Sequence, residues 1–560
     1  MSDPGGSAKM TDGRHLLIDA LRTNAVSTIY GVVGIPITDV ARIAQEKGIR
    51  YIGFRNEQAA GHAAGAAGYL TQQPGICLTV SGPGFLNGMV AMANATTNCF
   101  PMILISGSSD RAIIDLQQGD YEELDQLSSA RPYAKAAFRV DKPESIGLGV
   151  ARAFRAALSG RPGGVYLDLP RRVLHQAIDE TAGKASLFVA QNPAPSQLPS
   201  PESVSRALEL LARADRPLII LGKGAAYAQA DELIRTFVEA TGIPYLPMSM
   251  AKGLLPDDHP QSAAAARSFV LRNADVVMLI GARLNWLLGH GQPPHWSPGC
   301  TFIQLVVAAA EMDSNRPVAA PIVGDVKSAM TSLLAVMRPD DIKPGAAWLD
   351  PVAAQTAEHV EKMRAKLAAD PVPMDYFCAM RAIRDVLAGH QEVFVVNEGA
   401  NTLDNGRNIL HMYRPRLRLD SGTWGVMGIG LGYAIAAAIE SNSSVVAVEG
   451  DSAFGFSGME IETICRYRLP IVVIVFNNGG VYRGDEVNHH SADPAPTVFT
   501  KGSRYDRLIE AFGGTGYHVE DTASLTAALQ QALDARKPAL IDCVIDPAAG
   551  TESGHLESLN

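Results

Sequence analysis

Short runs of apolar, often β-branched residues alternate with alanine-rich stretches of helical spacing along most of the chain. In the first third, "GICLTV" and "MILIS" flank a stretch rich in small residues, and "SSVVAVEG" and "PIVVIVF" do the same in the last third. Runs of this length, bounded by glycine or proline, are typical of strands buried in a parallel sheet with crossover helices between them. The pattern predicts an α/β fold.

Two polar, proline-rich stretches interrupt this alternation. The first, "GKASLFVAQNPAPSQLPSPES", ends at Ser203, and the second, "RPDDIKPGAAWLDPVAAQ", starts at Arg338. We therefore expect three doubly wound parallel-sheet domains followed by a C-terminal segment, with bounds at 1–185, 200–340, 372–548 and 549–560. The first and third blocks share an order of strand, glycine-bearing turn, small-residue helix and strand, which predicts two similarly built halves around a different middle block.

The composition narrows the classes of partner. The 560 residues include 58 acidic and 48 basic side chains, with a formal net charge of -10 and no cluster of basic and aromatic residues. This argues against nucleic acid or an anionic membrane as a partner and favours small molecules. The six cysteines are scattered singly, as reduced core residues are. Because the apolar run from Gly428 to Ile439 is too short to cross a bilayer and the N-terminus has no signal-like pattern, we expect a cytoplasmic protein.

Asp451 and Asn478 each follow a predicted strand, 27 residues apart. A right-handed crossover brings parallel strands to one sheet edge, so both side chains are expected at the same carboxyl-terminal edge. With a backbone carbonyl near Gly480, they offer hard oxygen ligands for Mg²⁺. Either turn alone is an ordinary structural turn, but the spacing and the "NNGG" ending favour a metal-diphosphate anchor. Small residues beside Asp451 allow backbone N–H groups to approach the diphosphate: Gly450, Ser452 and Ala453.

The segment "GDSAFGFSGMEIETICRYRLPIVVIVFNNGG" resembles the cofactor-anchoring motif of thiamine diphosphate enzymes, with Ser452 where many families have glycine. The resemblance extends over essentially the whole chain. It implies pyrimidine-binding, middle nucleotide-binding and diphosphate-binding domains in that order. It also implies a homodimer with shared active sites, often assembled further into a homotetramer.

The same resemblance assigns roles in cofactor binding. Glu57, in "GFRNEQAAGHAAG", is implied to be the acid that bonds the aminopyrimidine ring, although by itself an acid at a helix start is usually a solvated residue. Gly425 and Met427, in "GTWGVMGIG", are implied to hold the cofactor bent. Val481 and Tyr482 follow Gly480 in the loop that binds the cofactor.

Longer stretches resemble one branch of these enzymes, which contains oxalyl-CoA decarboxylase and 2-hydroxyacyl-CoA lyase; among them are "QGDYEELDQ", "NEGANTLDNGRN" and "AFGGTGY". Both reactions use an acyl-CoA and give formyl-CoA. By resemblance, Tyr121 and Tyr482 line the active site, and Ser553 faces the thioester from a C-terminal lid. Amphipathic packing at a pocket rim is the alternative interpretation of each tyrosine.

Residues after Tyr482 bear on the choice of substrate. Asp485 and Glu486 would repel the carboxylate of oxalyl-CoA unless Arg483 points inward, whereas Glu486 could act as base for a 2-hydroxyl group. His555 stands where we expect arginine in the decarboxylases, and their further tyrosine near Glu486 is missing. We therefore expect a lyase that cleaves, or by carboligation forms, a 2-hydroxyacyl-CoA.

Three other interpretations stay open. The first is oxalyl-CoA decarboxylation to formyl-CoA and CO₂, and the second is a flavin-containing acetolactate synthase. The third is a catalytically inactive nucleotide-binding relative with a regulatory role. Retention of Glu57, Asp451 and Asn478 argues against the third.

In this branch the middle block resembles a domain that binds ADP as an activator and contributes to CoA binding. Val306 and Ala308 occupy positions where related chains usually end the strand with an acid that holds a ribose, which argues against ADP. The residues implied for the nucleotide are Arg161, Gly222, Lys223, Arg283 and Asp325, and those implied near CoA are Arg267, Ser268, Arg407 and Asn408.

Overall fold

A computed structural model of the protein describes residues 9–190 and 195–552. The chain forms two compact units. The first comprises the described part of Met1–Pro195 with Leu431–Glu440 and Ser457–Ile464, and the second comprises the remaining described residues.

The N-terminal region builds a six-stranded, all-parallel sheet of order β3-β2-β4-β5-β7-β6 and a two-stranded antiparallel pair, β1 with β8. Its strands are β1 (Met10–Asp12), β2 (Thr28–Gly31), β3 (Arg50–Gly53), β4 (Gly75–Thr79), β5 (Met102–Ser108), β6 (Ala136–Arg139), β7 (Gly164–Pro170) and β8 (Ala177–Asp179). Its helices are α1 (Gly13–Thr23), α2 (Thr38–Glu46), α3 (Glu57–Thr71), α4 (Pro83–Asn98), α5 (Arg111–Leu116), α6 (Gln126–Ala130), α7 (Ile146–Leu158), α8 (Arg171–His175) and α9 (Glu180–Ala185).

The middle region builds a five-stranded parallel sheet of order β10-β9-β11-β12-β13. Its strands are β9 (Pro217–Leu221), β10 (Tyr245–Pro247), β11 (Val276–Ile280), β12 (Thr301–Val306) and β13 (Val318–Val323). Its helices are α10 (Pro201–Ala212), α11 (Lys223–Tyr227), α12 (Asp231–Thr241), α13 (Arg267–Asn273), α14 (Val326–Val336) and α15 (Ala346–Leu367).

The C-terminal region builds a second six-stranded parallel sheet, of order β15-β14-β16-β17-β19-β18. Its strands are β14 (Phe394–Glu398), β15 (Arg418–Asp420), β16 (Val445–Gly450), β17 (Ile471–Asn477), β18 (Thr515–Val519) and β19 (Ala539–Val544). Its helices are α16 (Tyr376–Leu387), α17 (Ala400–Ile409), α18 (Gly430–Ser441), α19 (Asp451–Ser457), α20 (Glu460–Arg466), α21 (Asp506–Glu510) and α22 (Thr522–Ala535). Short 3₁₀ helices lie at Pro143–Ser145, Ser249–Ala251, Ala264–Ala266, Trp286–Gly291, Ala309–Glu311 and Pro339–Asp341.

The two six-stranded sheets have the same order of strands, counted along their own regions. This confirms the predicted α/β class and the two similarly built halves. Central strands are continuous apolar runs because helices cover both faces of a parallel sheet, so every residue of β4, β5, β9 and β11 is buried. The polar residues that remain for chemistry are therefore found where the strands end.

The second proline-rich stretch, interpreted from sequence as a break, contains the 22-residue helix α15. Trp348 explains why the helix forms there: its indole is buried and Nε1 donates to the carbonyl of Pro217 at 3.0 Å, so tertiary packing overrides the local helix-breaking signal of Pro351. The bounds predicted for the individual domains stay a prediction. All six cysteines are free, as expected. Among the helices of residues 9–190 and 195–552, none is long and apolar enough to cross a membrane.

Candidate active site

Asp451 and Asn478 lie side by side at the carboxyl-terminal edge of the C-terminal sheet. Strands β16 and β17 run parallel, with Gly450 opposite Phe476, so the two side chains emerge from neighbouring strands. Asp451 is 3 % exposed; its Oδ1 accepts from the backbone N–H of Ser452 at 2.7 Å and its Oδ2 from that of Gly479 at 2.8 Å. Asp451 and Asn478 are 27 residues apart in the sequence and lie close together in the fold, as predicted.

Burial dominates the electrostatics of Asp451. It raises the pKa of the carboxyl group to about 7, although backbone N–H groups at Ser452 and from Asn478 to Gly480 act in the opposite direction. A carboxylate in this position costs less free energy beside a cation than alone.

The loop after Asn478 is tightly wound. The side-chain amide of Asn478 donates from Nδ2 to the carbonyl of Tyr482 at 2.8 Å, so the oxygen Oδ1 is the atom of this side chain that can act as a metal ligand. Gly480 pairs with Val498 as an isolated antiparallel bridge. At Gly484 a Cβ atom would overlap the backbone carbonyl of Asn478, so the loop requires glycine there.

The loop that contains Gly425 and Met427 is fixed by hydrogen bonds to Glu398, which lies at the end of β14. Glu398 accepts hydrogen bonds from the backbone N–H groups of Gly428 and Gly430, the latter at 2.6 Å. Glu449, opposite Glu398 in the sheet register, is fully buried, and neither of its carboxyl oxygens has a hydrogen-bond partner among the described residues. Burial raises the pKa of both groups, and the charge of Glu398 raises that of Glu449 further.

Glu57 is the first residue of α3, in the first unit, and is 9 % exposed. The N-cap Asn56 begins the helix by accepting from the N–H of Gln58 at 2.8 Å. The carboxyl Oε2 of Glu57 accepts from Asn87 Nδ2 at 3.0 Å. Glu57 therefore lies at a strand-to-helix junction, as predicted, and its side chain is buried there.

The charged side chains that follow Tyr482 have hydrogen-bond partners within the chain. Arg483 donates to both oxygens of Asp485, at 2.9 and 2.6 Å, and Glu486 accepts from the hydroxyl of Thr497. Tyr482 itself is partly buried, whereas Tyr121, in the first unit, is 77 % exposed. Ser553 and His555, with most of the segment 549–560, lie outside the described residues.

Residues predicted to bind a nucleotide lie at the carboxyl-terminal edge of the middle sheet. Gly222 follows β9 and begins α11 at Lys223. Asp325 is the N-cap of α14: its Oδ2 accepts from the N–H of Ser328 at 2.8 Å and from the hydroxyl at 2.9 Å. Val306 ends β12 and is buried, so this strand end is apolar.

Other predicted nucleotide residues have different surroundings. Arg283 donates to the hydroxyl of Thr423 at 3.4 Å. Arg161 belongs to the first unit.

A small pocket lies between α13 and the 3₁₀ segment Trp286–Gly291. It is lined by two of the residues predicted near CoA, Arg267 and Ser268, together with Leu271, Arg272, Leu288, Gly289 and His295. Burial lowers the pKa of Arg267, and the positive charge of Arg407, a third residue predicted near CoA, lowers it further. Asn408 is exposed and donates to the carbonyl of Asp404 at 3.0 Å.

Three family models match the chain, one in each of the three regions that build a parallel sheet. "Thiamine pyrophosphate enzyme, N-terminal TPP binding domain" matches residues 11–129, the central domain matches 204–333, and the C-terminal TPP binding domain matches 399–543. Together they cover more than half of the 560 residues. The chain belongs to the thiamine pyrophosphate enzymes.

Curated relatives place this thiamine pyrophosphate enzyme in one branch. It is 60 % identical to the oxalyl-CoA decarboxylase of Escherichia coli (strain K12), over 99 % of this chain and 98 % of the relative. It is 45 % identical to the 2-hydroxyacyl-CoA lyase of Oryza sativa subsp. japonica, over 99 % of both chains. It is 40 % identical to the 2-hydroxyacyl-CoA lyase 1 of Homo sapiens, over 97 % and 96 %. The predicted branch of carbon-carbon lyases is confirmed.

The residues at the C-terminal sheet edge fit the thiamine pyrophosphate of the family. A buried carboxylate, a side-chain amide oxygen and a backbone carbonyl, from Asp451, Asn478 and Gly480, form a hard donor set suited to a divalent cation beside a diphosphate. Ser452 and Ala453 follow Asp451 in the first turn of α19, which places backbone N–H groups at this edge, and the N–H of Ser452 donates to Asp451. The donor chemistry therefore agrees with the cofactor that the family name states.

Two residues of this thiamine pyrophosphate enzyme escaped prediction from the sequence. Asn87 donates to Glu57, and Glu398 holds the loop that contains Met427. A polar residue in the otherwise apolar "GPGFLNG" and an acid that ends the buried strand "FVVNE" were the available signals. Neither signal indicates which residue the side chain will bond, because the two partners are distant in the sequence and meet only in the tertiary structure.

Proposed function

We propose that the protein uses thiamine diphosphate and Mg²⁺ to cleave the carbon-carbon bond next to a CoA thioester, with formyl-CoA as the common product. One observation carries this proposal: the buried carboxylate of Asp451 lies against the loop that contains Asn478. The backbone N–H of Gly479 in that loop donates to Asp451 Oδ2 at 2.8 Å. When bound, thiamine diphosphate supplies a nucleophilic carbon for addition to a carbonyl group.

The residues predicted to bind the cofactor and the metal each have a defined part in this proposal. Asp451, Asn478 and the carbonyl of Gly480 hold Mg²⁺, while N–H groups near Ser452 bind the diphosphate. Glu57 supplies the carboxyl group that bonds the pyrimidine. Residues that contact the cofactor elsewhere are Gly425, Met427, Gly450, Ala453, Val481 and Tyr482.

Two observations bear on the substrate. The 60 % identity to an oxalyl-CoA decarboxylase exceeds the 45 % identity to a 2-hydroxyacyl-CoA lyase at equal coverage, which favours oxalyl-CoA. In contrast, Arg483 is engaged by Asp485, so the guanidinium that would receive an oxalyl carboxylate already has an anionic partner. We propose that one site performs both reactions, with Glu486 as base for a 2-hydroxyl group and Tyr121, Tyr482 and Ser553 facing the substrate.

The CoA moiety is proposed to bind at the second unit near α13. Arg267, Ser268 and Arg407 offer guanidinium and hydroxyl donors to phosphate groups. For ADP the support is weaker, because Asp325 is already engaged as a helix cap and the end of β12 is apolar.

We further propose that two copies of the chain complete each active site. In the first unit, α4 exposes Leu86 by 52 % and Val90 by 38 %, one turn apart and next to Asn87. Apolar side chains clustered beside a functional acid are typical of a surface covered in an oligomer. A further pairing of dimers into a tetramer is the expected assembly.

A parallel assay tests the substrate. Oxalyl-CoA and a 2-hydroxyacyl-CoA are each supplied with thiamine diphosphate and Mg²⁺, and formyl-CoA is quantified together with CO₂ or with the aldehyde or ketone. We expect formyl-CoA from both, with the larger kcat/KM for oxalyl-CoA, and neither product with the Glu57→Gln variant. Absence of formyl-CoA from both substrates would contradict the proposed function.

Magnesium binding should depend on pH. Because burial raises the pKa of Asp451 to about 7, a proton competes with the metal below that value. The apparent affinity for Mg²⁺ is expected to fall about tenfold per pH unit below pH 7 and to be constant above it. Isothermal titration of Mg²⁺ into the protein with thiamine diphosphate, from about pH 5.5 to pH 8.5, measures this. A flat profile over that range would remove Asp451 from the ligand set.

A further inference from the structure

Both oxygens of the Glu57 carboxyl group lie against the first turns of α4. Its Oε2 accepts from Asn87 Nδ2 at 3.0 Å. On the other side, a Cβ atom added to Gly84 would lie 3.1 Å from Oε1. Residues 84 and 87 are three apart on one helix and therefore share a face. One oxygen of Glu57 is thus bonded to a neutral donor, and the other lies against a position without a side chain.

The start of α4 is itself fixed by a buried amide. Gln126 is fully buried; its Oε1 accepts from the N–H of Gly82 at 2.7 Å. Its Nε2 donates to the carbonyl of Gly107 at 2.9 Å and to the hydroxyl of Tyr166 at 2.7 Å. All three hydrogen bonds lie within the first unit. They hold the helix, and with it Asn87, in a defined place relative to the sheet.

We propose that Asn87 is a positioning residue that orients the carboxyl group of Glu57 for contact with the cofactor. This rests on the proposed function. A carboxyl group rotates readily about its terminal bond, and a hydrogen bond to one oxygen selects one rotamer. An amide performs this without a formal charge, whereas a lysine or arginine would hold Glu57 as a salt-bridged carboxylate and suppress proton exchange.

The geometry distinguishes Asn87 from an ordinary surface asparagine. In helix interiors, asparagine commonly bonds its own helix backbone or points to solvent. Asn87 is exposed, yet its amide bonds an acid 30 residues away. Because Asn87 is exposed in the single chain, substitutions there are expected to leave the fold of the chain intact. Since the proposed dimer covers this face of α4, the oligomeric state of each variant is compared with that of the wild type.

Substitutions at Asn87 test the proposal. Asn87→Leu removes the donor at similar size, Asn87→Asp replaces the amide with an isosteric carboxylate, and Asn87→Gln keeps an amide. Asn442→Asp is the matched control, since Asn442 is exposed and its left-handed backbone, with φ of 55°, tolerates aspartate. The main measurement is the rate at which the thiazolium C2 proton of bound thiamine diphosphate exchanges with deuterium, with Mg²⁺ present. Cofactor affinity and Tm are measured in parallel.

We expect exchange about 10- to 100-fold slower in Asn87→Leu and Asn87→Asp, the effect of losing a hydrogen bond to a charged group. Cofactor affinity and Tm should be unchanged, and Asn87→Gln should recover most of the rate. Exchange at the wild-type rate in Asn87→Leu and Asn87→Asp would overturn the inference, as would a Gln variant as slow as Leu. The Glu57→Gln variant distinguishes failure of this inference from failure of the proposed function. Exchange at the wild-type rate in Glu57→Gln would remove Glu57 from its proposed role, whatever Asn87 does.

Discussion

Replacing Glu57 with glutamine is expected to lower kcat by about 100- to 10,000-fold with the fold retained. Glutamine keeps the size of the side chain and an oxygen that can accept from Asn87, so the 3.0 Å hydrogen bond has a counterpart in the variant. What it loses is the exchangeable proton of a carboxyl group. The measurement is formyl-CoA release at saturating thiamine diphosphate and Mg²⁺.

A second Glu→Gln change provides the control for Glu57. Glu358 lies on the exposed face of α15 and pairs with Lys362, where an ion pair contributes little. Glu358→Gln is expected to retain the wild-type kcat. If Glu57→Gln also retained it, another group would have to be the activating acid.

The second large effect is expected from Asp451→Asn. The variant removes the anionic ligand from a buried site and turns an amide N–H group toward backbone donors, because both oxygens of Asp451 now accept hydrogen bonds. Loss of a buried charged partner costs about 3–5 kcal/mol, which corresponds to a fall in Mg²⁺ affinity of two orders of magnitude or more. Calorimetric titration of Mg²⁺ and then of thiamine diphosphate measures both affinities.

The control for Asp451 is an exposed aspartate on α22. Asp534→Asn changes the same functional group at the surface and is expected to leave Mg²⁺ affinity unchanged. Unaltered Mg²⁺ binding by Asp451→Asn would show that the cation is held elsewhere.

The anchor around Asp451 could be predicted from sequence because it depends on a rule of topology. One strand, one crossover and the next parallel strand bring the two strand ends together whatever the packing details. The position of Glu57 at a strand-to-helix junction was predictable for a similar reason, since that junction is a local pattern, whereas its role was implied only by the resemblance to the family. The fold class and the matching halves followed from the same alternation of strands and helices.

Pairings between distant elements could not be predicted. The bond from Asn87 to Glu57 joins two helices, and the position of Gln126 beneath Gly82 depends on three separate segments. Local patterns also misled where packing opposed them, as in α15, whose proline is tolerated because Trp348 is anchored in the core. The pairing of Arg483 with Asp485 is short-range, yet the sequence does not reveal which way the arginine turns.

The bond between the Asn478 side chain and the carbonyl of Tyr482 limits how this site can diversify. Only three residues, 479–481, lie between a proposed metal ligand and a proposed substrate contact, and Gly484 closes the loop against the Asn478 carbonyl. An insertion or deletion here would displace the cation together with the substrate. New substrate preferences should therefore arise by exchange of side chains at fixed loop length, so that evolution of specificity in this loop proceeds by substitution alone.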